Sequence, residues 1–234
     1  MIQQREISLV SGPPGAGKTT AVLALSREYP NITRFGVRDY AYRLASVGLP
    51  LGLQLKTAID RNQVPIDLVV AEFAHFLDHL PPGCTTVIAD GYPRVGDECP
   101  DWHEVVRQRQ LRIRAVTLLS VSSATALRRA HGRRICTACG LPASGSSDRC
   151  GLCGHPTVPR QDDTLHQLEA RIDHYRSGWR ELTRYFQNIC PIEEIDADAP
   201  ASVVRARLRA ALLPDNHPCG VATADSRSAS CTDG

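Results

Sequence analysis

Two kinds of hydrophobic pattern take turns along the 234-residue chain. Residues 6–10 (EISLV), 85–89 (TTVIA) and 114–121 (RAVTLLSV) are short runs rich in apolar and β-branched side chains. They lack the strict alternation of a half-exposed strand, and so predict buried parallel strands. A last short strand is predicted at 192–195. Stretches of helical composition lie between and after them, at 18–27, 51–62, 67–79, 102–110, 123–130, 164–186 and 201–212. Ser123 is the expected N-cap of its helix, and Gly178 is expected to break the long one. Strand, glycine-rich turn and helix in that order open a βαβ unit, so the predicted fold is α/β: a parallel sheet flanked by helices. No internal repeat is visible.

Two segments break the pattern. Residues 132–161 are rich in Cys, Gly, Ser and Pro and have little helical periodicity. They predict a small insert organised by metal rather than by a core of its own. Residues 215–234 are small and polar, and predict a disordered tail. The expected domains are therefore a core of residues 1–131 and 162–214, an insert of 132–161, and the tail.

Composition narrows the classes. A formal net charge of +2 gives no global argument for nucleic-acid or membrane binding. No window approaches ~20 consecutive apolar residues, so no membrane span is expected, and the first ten residues do not read as a signal peptide. A cytoplasmic, reducing setting is the expectation, in which paired C-x-x-C units hold metal more often than they form disulfides. Of the 27 basic residues only Lys18 and Lys56 are lysines. Arginine's planar fork suits phosphate oxygens, although a GC-rich genome would produce the same bias.

The residues Gly12, Pro13, Pro14, Gly15, Ala16, Gly17, Lys18 and Thr19 fit G-x-x-x-x-G-K-[ST], between a predicted strand and a predicted helix. Backbone amides of such a loop turn inward around phosphates, the lysine adds a point charge, and a hydroxyl supports Mg²⁺. Here either Thr19 or Thr20 can supply that hydroxyl. Asp90, at the end of a strand, offers the carboxylate expected near the metal; the competing role is capping a turn. Cys136-x-x-Cys139-Gly and Cys150-x-x-Cys153-Gly form two knuckles suited to a tetrahedral, four-thiolate structural zinc. A disulfide pair is the alternative. Cys84, Cys99, Cys190, Cys219 and Cys231 have no partner pattern.

Taken in order, GPPGAGKTT (12–20), DGYPR (90–94), RAHGRR (129–134) and RQDD (160–163), followed by Arg171 and Tyr175, resemble the adenylate kinase family of nucleoside monophosphate kinases from about residue 7 to 213. The resemblance implies ATP as donor, a nucleoside monophosphate as acceptor, Mg²⁺, and a lid that many bacterial members pin with zinc. It places Arg129 against the donor base, and Lys18, Arg133, Arg160 and Arg171 at the transferring phosphates. Asp162 and Asp163 would hold those arginines and the donor ribose region. Residues 36–80 would take the acceptor, with Asp39, Gly91, Arg94, Arg160 and Arg171 around it. A monomeric enzyme of nucleotide biosynthesis, with no nucleic-acid or membrane partner, is the expectation.

The acceptor side departs from the family. A Ser-Thr-Gly-Asp run followed by an arginine is usual there; aligning Asp39 with the aspartate puts Val37 on the threonine and Tyr42 on the arginine. Arg38 and Arg43 are the candidates to replace the lost phosphate contact. Glu98 stands where the family reads the acceptor base with glutamine. An ionised carboxylate accepts hydrogen bonds but donates none, which suits guanine better than adenine unless the side chain faces solvent. Three functions remain open: an adenylate kinase, a P-loop kinase for another acceptor (another monophosphate such as GMP, or a small metabolite), and a nucleotide-binding zinc-ribbon regulator.

Overall fold

The computed structural model describes residues 4–143 and 147–213; the expected tail, with Cys219 and Cys231, lies outside them. Five strands, β1 (Glu6–Ser11), β2 (Ile32–Phe35), β3 (Thr86–Asp90), β4 (Arg112–Ser120) and β7 (Ile192–Asp196), form one sheet in the order β2-β3-β1-β4-β7. Every pairing is parallel. All five residues of β3 are buried, as are five of the six in β1, which explains their unalternating sequences.

Helices cover both faces. One core joins the sheet to α4 (Ile66–Asp78), α5 (Cys99–Gln108) and the later part of α7 (Leu165–Phe186); its centre is Trp102, stacked on Phe73 with centroids 5.8 Å apart. The other packs α1 (Lys18–Glu28) and α8 (Ala201–Leu212) on the opposite face. A third, small cluster of Ala41, Tyr42, Leu55 and Ile59 ties α2 (Val37–Ser46) to α3 (Pro50–Asp60) beside the sheet's β2 edge.

Two local expectations are corrected, and two elements appear that the sequence did not predict. Helix α7 runs unbroken through Gly178, because the glycine meets a space requirement: a Cβ there would stand 2.4 Å from Val95 Cγ1. The N-cap of α6 (Ser123–Ala130) is Ser122, whose hydroxyl accepts the Thr125 amide. Strand β2 and helix α2 form where the sequence offers little pattern. ITRF has polar residues at its middle, and the buried face of α2 is built from Tyr40, Ala41, Tyr42 and Leu44.

The insert is small. Strands β5 (Arg134–Cys136) and β6 (Thr157–Pro159) pair antiparallel, and the cysteine knuckles project from them. None of the three hydrophobic clusters contains a described residue of 132–161.

Candidate active site

The sheet register brings the carboxyl ends of β1 and β3 side by side, with Val10 opposite Asp90 and the Gly91 amide bonded to the Val10 carbonyl at 2.9 Å. The loop after β1 and the turn after β3 therefore share one edge, where open α/β sheets bind ligands. The loop curls tightly over that edge. Gly15 has φ +81°, and a Cβ there would fall 2.2 Å from the Ala126 carbonyl oxygen, so nothing larger fits. Gly17, left-handed at φ +87°, turns the chain into α1, whose free amides and dipole face the same space.

A cavity of about 790 Å³ opens over this edge. Gly12, Pro14, Gly15, Gly17, Lys18, Thr19 and Thr20 belong to its wall. Pro13 contributes its carbonyl, which accepts from Lys18 Nζ at 3.0 Å, while Ala16 turns inward to the core. Arg129, Arg133, Arg160 and Arg171 line the cavity from three separate stretches of chain. Asp39, Gly91, Arg94 and Glu98 also line it, and a Cβ on Gly91 would lie 3.5 Å from Lys18 Cε. Arg43 is not part of the wall; its guanidinium lies over the Tyr40 ring, 4.5 Å from the centroid. Arg38 is on the wall instead.

Two buried carboxylates organise the arginines. Asp163 accepts from Arg133 Nε and Nη2 at 2.8 and 2.9 Å and from Arg171 Nη1 at 3.0 Å. Asp162 takes Arg160 in a two-pronged pair, Arg171 at 3.2 Å and Arg38 at 3.7 Å. Burial works to raise the Asp162 pKa, but hydrogen bonds and charge from Arg160, then Arg171 and Arg38, hold it well below the usual carboxylate range. It stays ionised, and the cations are oriented before any phosphate arrives.

A second ion network escaped the sequence. Arg34 of β2, nearly buried, donates from Nε to Asp90 Oδ2 and from Nη1 to Asp39, both at 2.8 Å. Its partners are 56 and 5 positions away, a spacing with no sequence signature. The one available hint is Gly36, where a Cβ would meet Arg34 Nη2 at 2.3 Å. Asp90 keeps its Oδ1 buried and without a hydrogen-bond partner. An orphaned carboxylate oxygen on the wall that carries Lys18 and Thr19 fits a divalent cation.

Glu98 is not turned to solvent: it is 8% exposed. Its Oε1 accepts from Arg94 Nε and Nη2 at 3.0 and 2.6 Å, and its Oε2 from the Arg94 amide at 2.6 Å. Tyr42 donates its hydroxyl to Asp60 at 3.0 Å.

In the insert, the Sγ atoms of Cys136, Cys139, Cys150 and Cys153 all lie within 4.8 Å of one another. The Cys136–Cys153 and Cys139–Cys150 separations are 3.5 and 3.7 Å. Tetrahedral thiolates at ~2.3 Å from zinc stand roughly 3.8 Å apart, so the cluster suits that metal. Backbone amides of Ala138 and Cys139 point at Cys136 Sγ, and that of Leu152 at Cys150 Sγ, each at 3.4 Å, spreading thiolate charge. Four protein ligands leave no open position, which marks a structural site.

A phosphate loop at the edge of a five-stranded parallel sheet, with arginines gathered over it under a cysteine-clustered insert, defines a P-loop phosphotransferase. Comparison with known proteins makes this more specific. The chain is 31% identical to the adenylate kinase of Desulforudis audaxviator over 212 residues, 87% of this chain and 98% of the relative. It is 28% identical to the Clostridium botulinum adenylate kinase over 183 residues, 76% and 85% of the two chains. The Methanocella arvoryzae adenylate kinase matches at 28% over 209 residues, 86% and 95%. No family model matches. The chain belongs to the adenylate kinase family. Among the described residues no helix is long and apolar enough to cross a membrane.

Proposed function

We propose that this phosphotransferase moves the γ-phosphoryl group of ATP to a nucleoside monophosphate, with AMP the leading acceptor (ATP + AMP to 2 ADP). One observation carries the reading: Lys18, Arg94, Arg129, Arg133, Arg160 and Arg171 line one cavity together with the phosphate loop and with Val37, Arg38 and Asp39 of the acceptor segment. Residues 1–131 and 162–214 act as the core, 36–80 as the acceptor segment and 132–161 as a closing lid.

Transfer needs alignment and positive charge on the equatorial oxygens more than covalent help. The loop amides and Lys18 hold the donor's β- and γ-phosphates. Arg129, anchored by the Ala197 carbonyl at 2.8 Å, flanks the base. Arg133, Arg160 and Arg171 share their guanidinium groups between the Asp162–Asp163 pair and the migrating phosphoryl group. Arg94 and Arg38 hold the acceptor phosphate, the latter in place of the arginine lost at Tyr42. Asp90, through its unpartnered Oδ1, and the Thr19 hydroxyl would hold Mg²⁺, which would supply positive charge against that developing on the transferred phosphoryl group. The closed insert excludes water, which would otherwise compete as acceptor.

A different acceptor, such as GMP or a small metabolite, is the second reading. Two observations favour it: Glu98 is engaged by Arg94, and Tyr42 is engaged by Asp60. A coupled assay of ATP against AMP, GMP, CMP and UMP tests both. Turnover of AMP above the others supports adenylate kinase activity, turnover of another monophosphate supports the second reading, and none with any overturns the monophosphate kinase. Lys18→Ala and Arg133→Ala should each lower kcat by about three orders of magnitude; wild-type rates in either would refute the donor-site assignment.

A further inference from the structure

The two cysteine knuckles are near copies. In each, a glycine follows the second cysteine in the left-handed region, Gly140 at φ +68° and Gly154 at φ +72°. In each, that glycine's amide bonds the carbonyl of the first cysteine, at 3.1 Å to Cys136 and 2.9 Å to Cys150. Their surroundings differ completely. A Cβ on Gly154 would meet nothing within 4 Å. A Cβ on Gly140 would lie 3.1 Å from Tyr42 Cγ, 3.2 Å from Arg38 Cγ and 3.2 Å from the Arg38 carbonyl oxygen.

The first knuckle thus rests on α2 at two of the positions where the acceptor segment leaves its family pattern. Tyr42 replaces the arginine of the run, and Arg38, immediately before Asp39, stands on its glycine. The phenol ring is steadied there by Asp60 and by Lys56, whose Nζ lies 5.0 Å from the ring centroid. The Arg38 guanidinium reaches Asp162 at 3.7 Å, the carboxylate that also holds Arg160 and Arg171.

We propose that the first knuckle docks through Gly140 on the Arg38–Tyr42 face of α2, so that closure of the lid over the donor fastens the acceptor segment in the same step. Arg38 then has a second role beside the acceptor-phosphate contact proposed above: through Asp162 it links the acceptor helix to the lid hinge and the phosphate-binding arginines. Tyr42 has exchanged a phosphate contact for a docking surface. Coupling of this kind makes donor and acceptor affinities depend on each other reciprocally. The inference rests on the donor site and lid proposed above.

The two glycines supply their own control. Gly140→Ala and Gly154→Ala impose the same backbone strain on their knuckles, but only the first adds a methyl group at the α2 seam. Amide hydrogen exchange is measured on zinc-loaded protein with saturating Mg·ATP. Residues 12–20 report donor binding and Val37–Ser46 reports docking. The Gly154→Ala variant should match wild type at Val37–Ser46, while Gly140→Ala exchanges there about fivefold faster, at the low end of typical coupling factors. Arg38→Ala, altered on the opposite side of the seam, should speed exchange at residues 136–142. Equal exchange of Val37–Ser46 in both glycine variants, with 12–20 protected in each, overturns the docking and leaves the donor site standing. No protection of 12–20 in wild type overturns the donor site, and the docking with it.

Discussion

Lys18 sits between one carboxylate and three guanidinium groups. Burial lowers its pKa from 10.5 to about 8, with Arg133, Arg171 and Arg160 adding to the fall and Asp90 opposing it. A bound triphosphate adds negative charge beside the ammonium group and raises that pKa again. ATP binding above pH 8 must therefore take up a proton at Lys18. The apparent affinity should fall as pH rises through 8, and calorimetry at pH 8.5 in buffers of different ionisation enthalpy should report net proton uptake that nearly disappears at pH 6.5. Uptake that stays the same at both values would contradict the shifted lysine. The lysine's identity was legible, since the loop motif names it, but its depressed pKa was not, because the burial that lowers it, and the three arginines that add to the fall, come from parts of the fold distant in sequence. Arg34 was illegible for the same reason. It looks like a surface residue in ITRF until β2 sets it beside Asp90.

Helix α7 shows what an element's sequence conceals. A glycine in the middle of 22 helical residues costs about 1 kcal/mol relative to alanine, so its presence reads as a break. The structure shows instead that Gly178 lets α7 lie against Val95, in the segment between Arg94 and Glu98. Gly96, in the short 3₁₀ turn Gly96–Glu98, presses on Glu181 of the same helix, where a Cβ would stand 2.5 Å from Glu181 Cβ. Gly178→Ala should therefore destabilise the protein by about 1–3 kcal/mol by overpacking, despite alanine's better propensity. Chemical denaturation reads the stability, and a raised acceptor KM reads the displaced Arg94–Glu98 pair. A stabilised variant with unchanged KM would mean that the seam has room to spare. Elements with dense apolar runs, such as β3 and β4, were legible almost to the residue. Those built from tyrosine, alanine and arginine, such as α2, were not, since their buried faces are only partly hydrophobic.

At the scale of the whole molecule, stability is divided. The two cores on either face of the sheet take nothing from the described residues of 132–161, and the insert's strands are three residues each. So small a unit cannot hold its shape by burial alone; four thiolates around a metal can, since structural zinc contributes about 10 kcal/mol or more to folding. The cysteine spacing made the four-thiol cluster legible from sequence, whereas the knuckle's seat on α2 depends on a tertiary approach that no spacing encodes. Removing zinc should melt the insert separately from the core. Metal analysis should find about one zinc per chain, as a single tetrahedral site requires. After chelation, amide exchange should rise steeply across the described part of 132–161 while the sheet stays protected. ATP should still bind the loop of residues 12–20, because Lys18 and the amides that hold it belong to the core. Phosphoryl transfer should collapse with the insert, since Arg133 and Arg160 stand at its two ends, joined by the Arg160 amide to the Arg133 carbonyl at 3.0 Å. If chelation instead unfolded sheet and insert together, the two would be one cooperative unit, and the separation of binding from closure would have no structural basis.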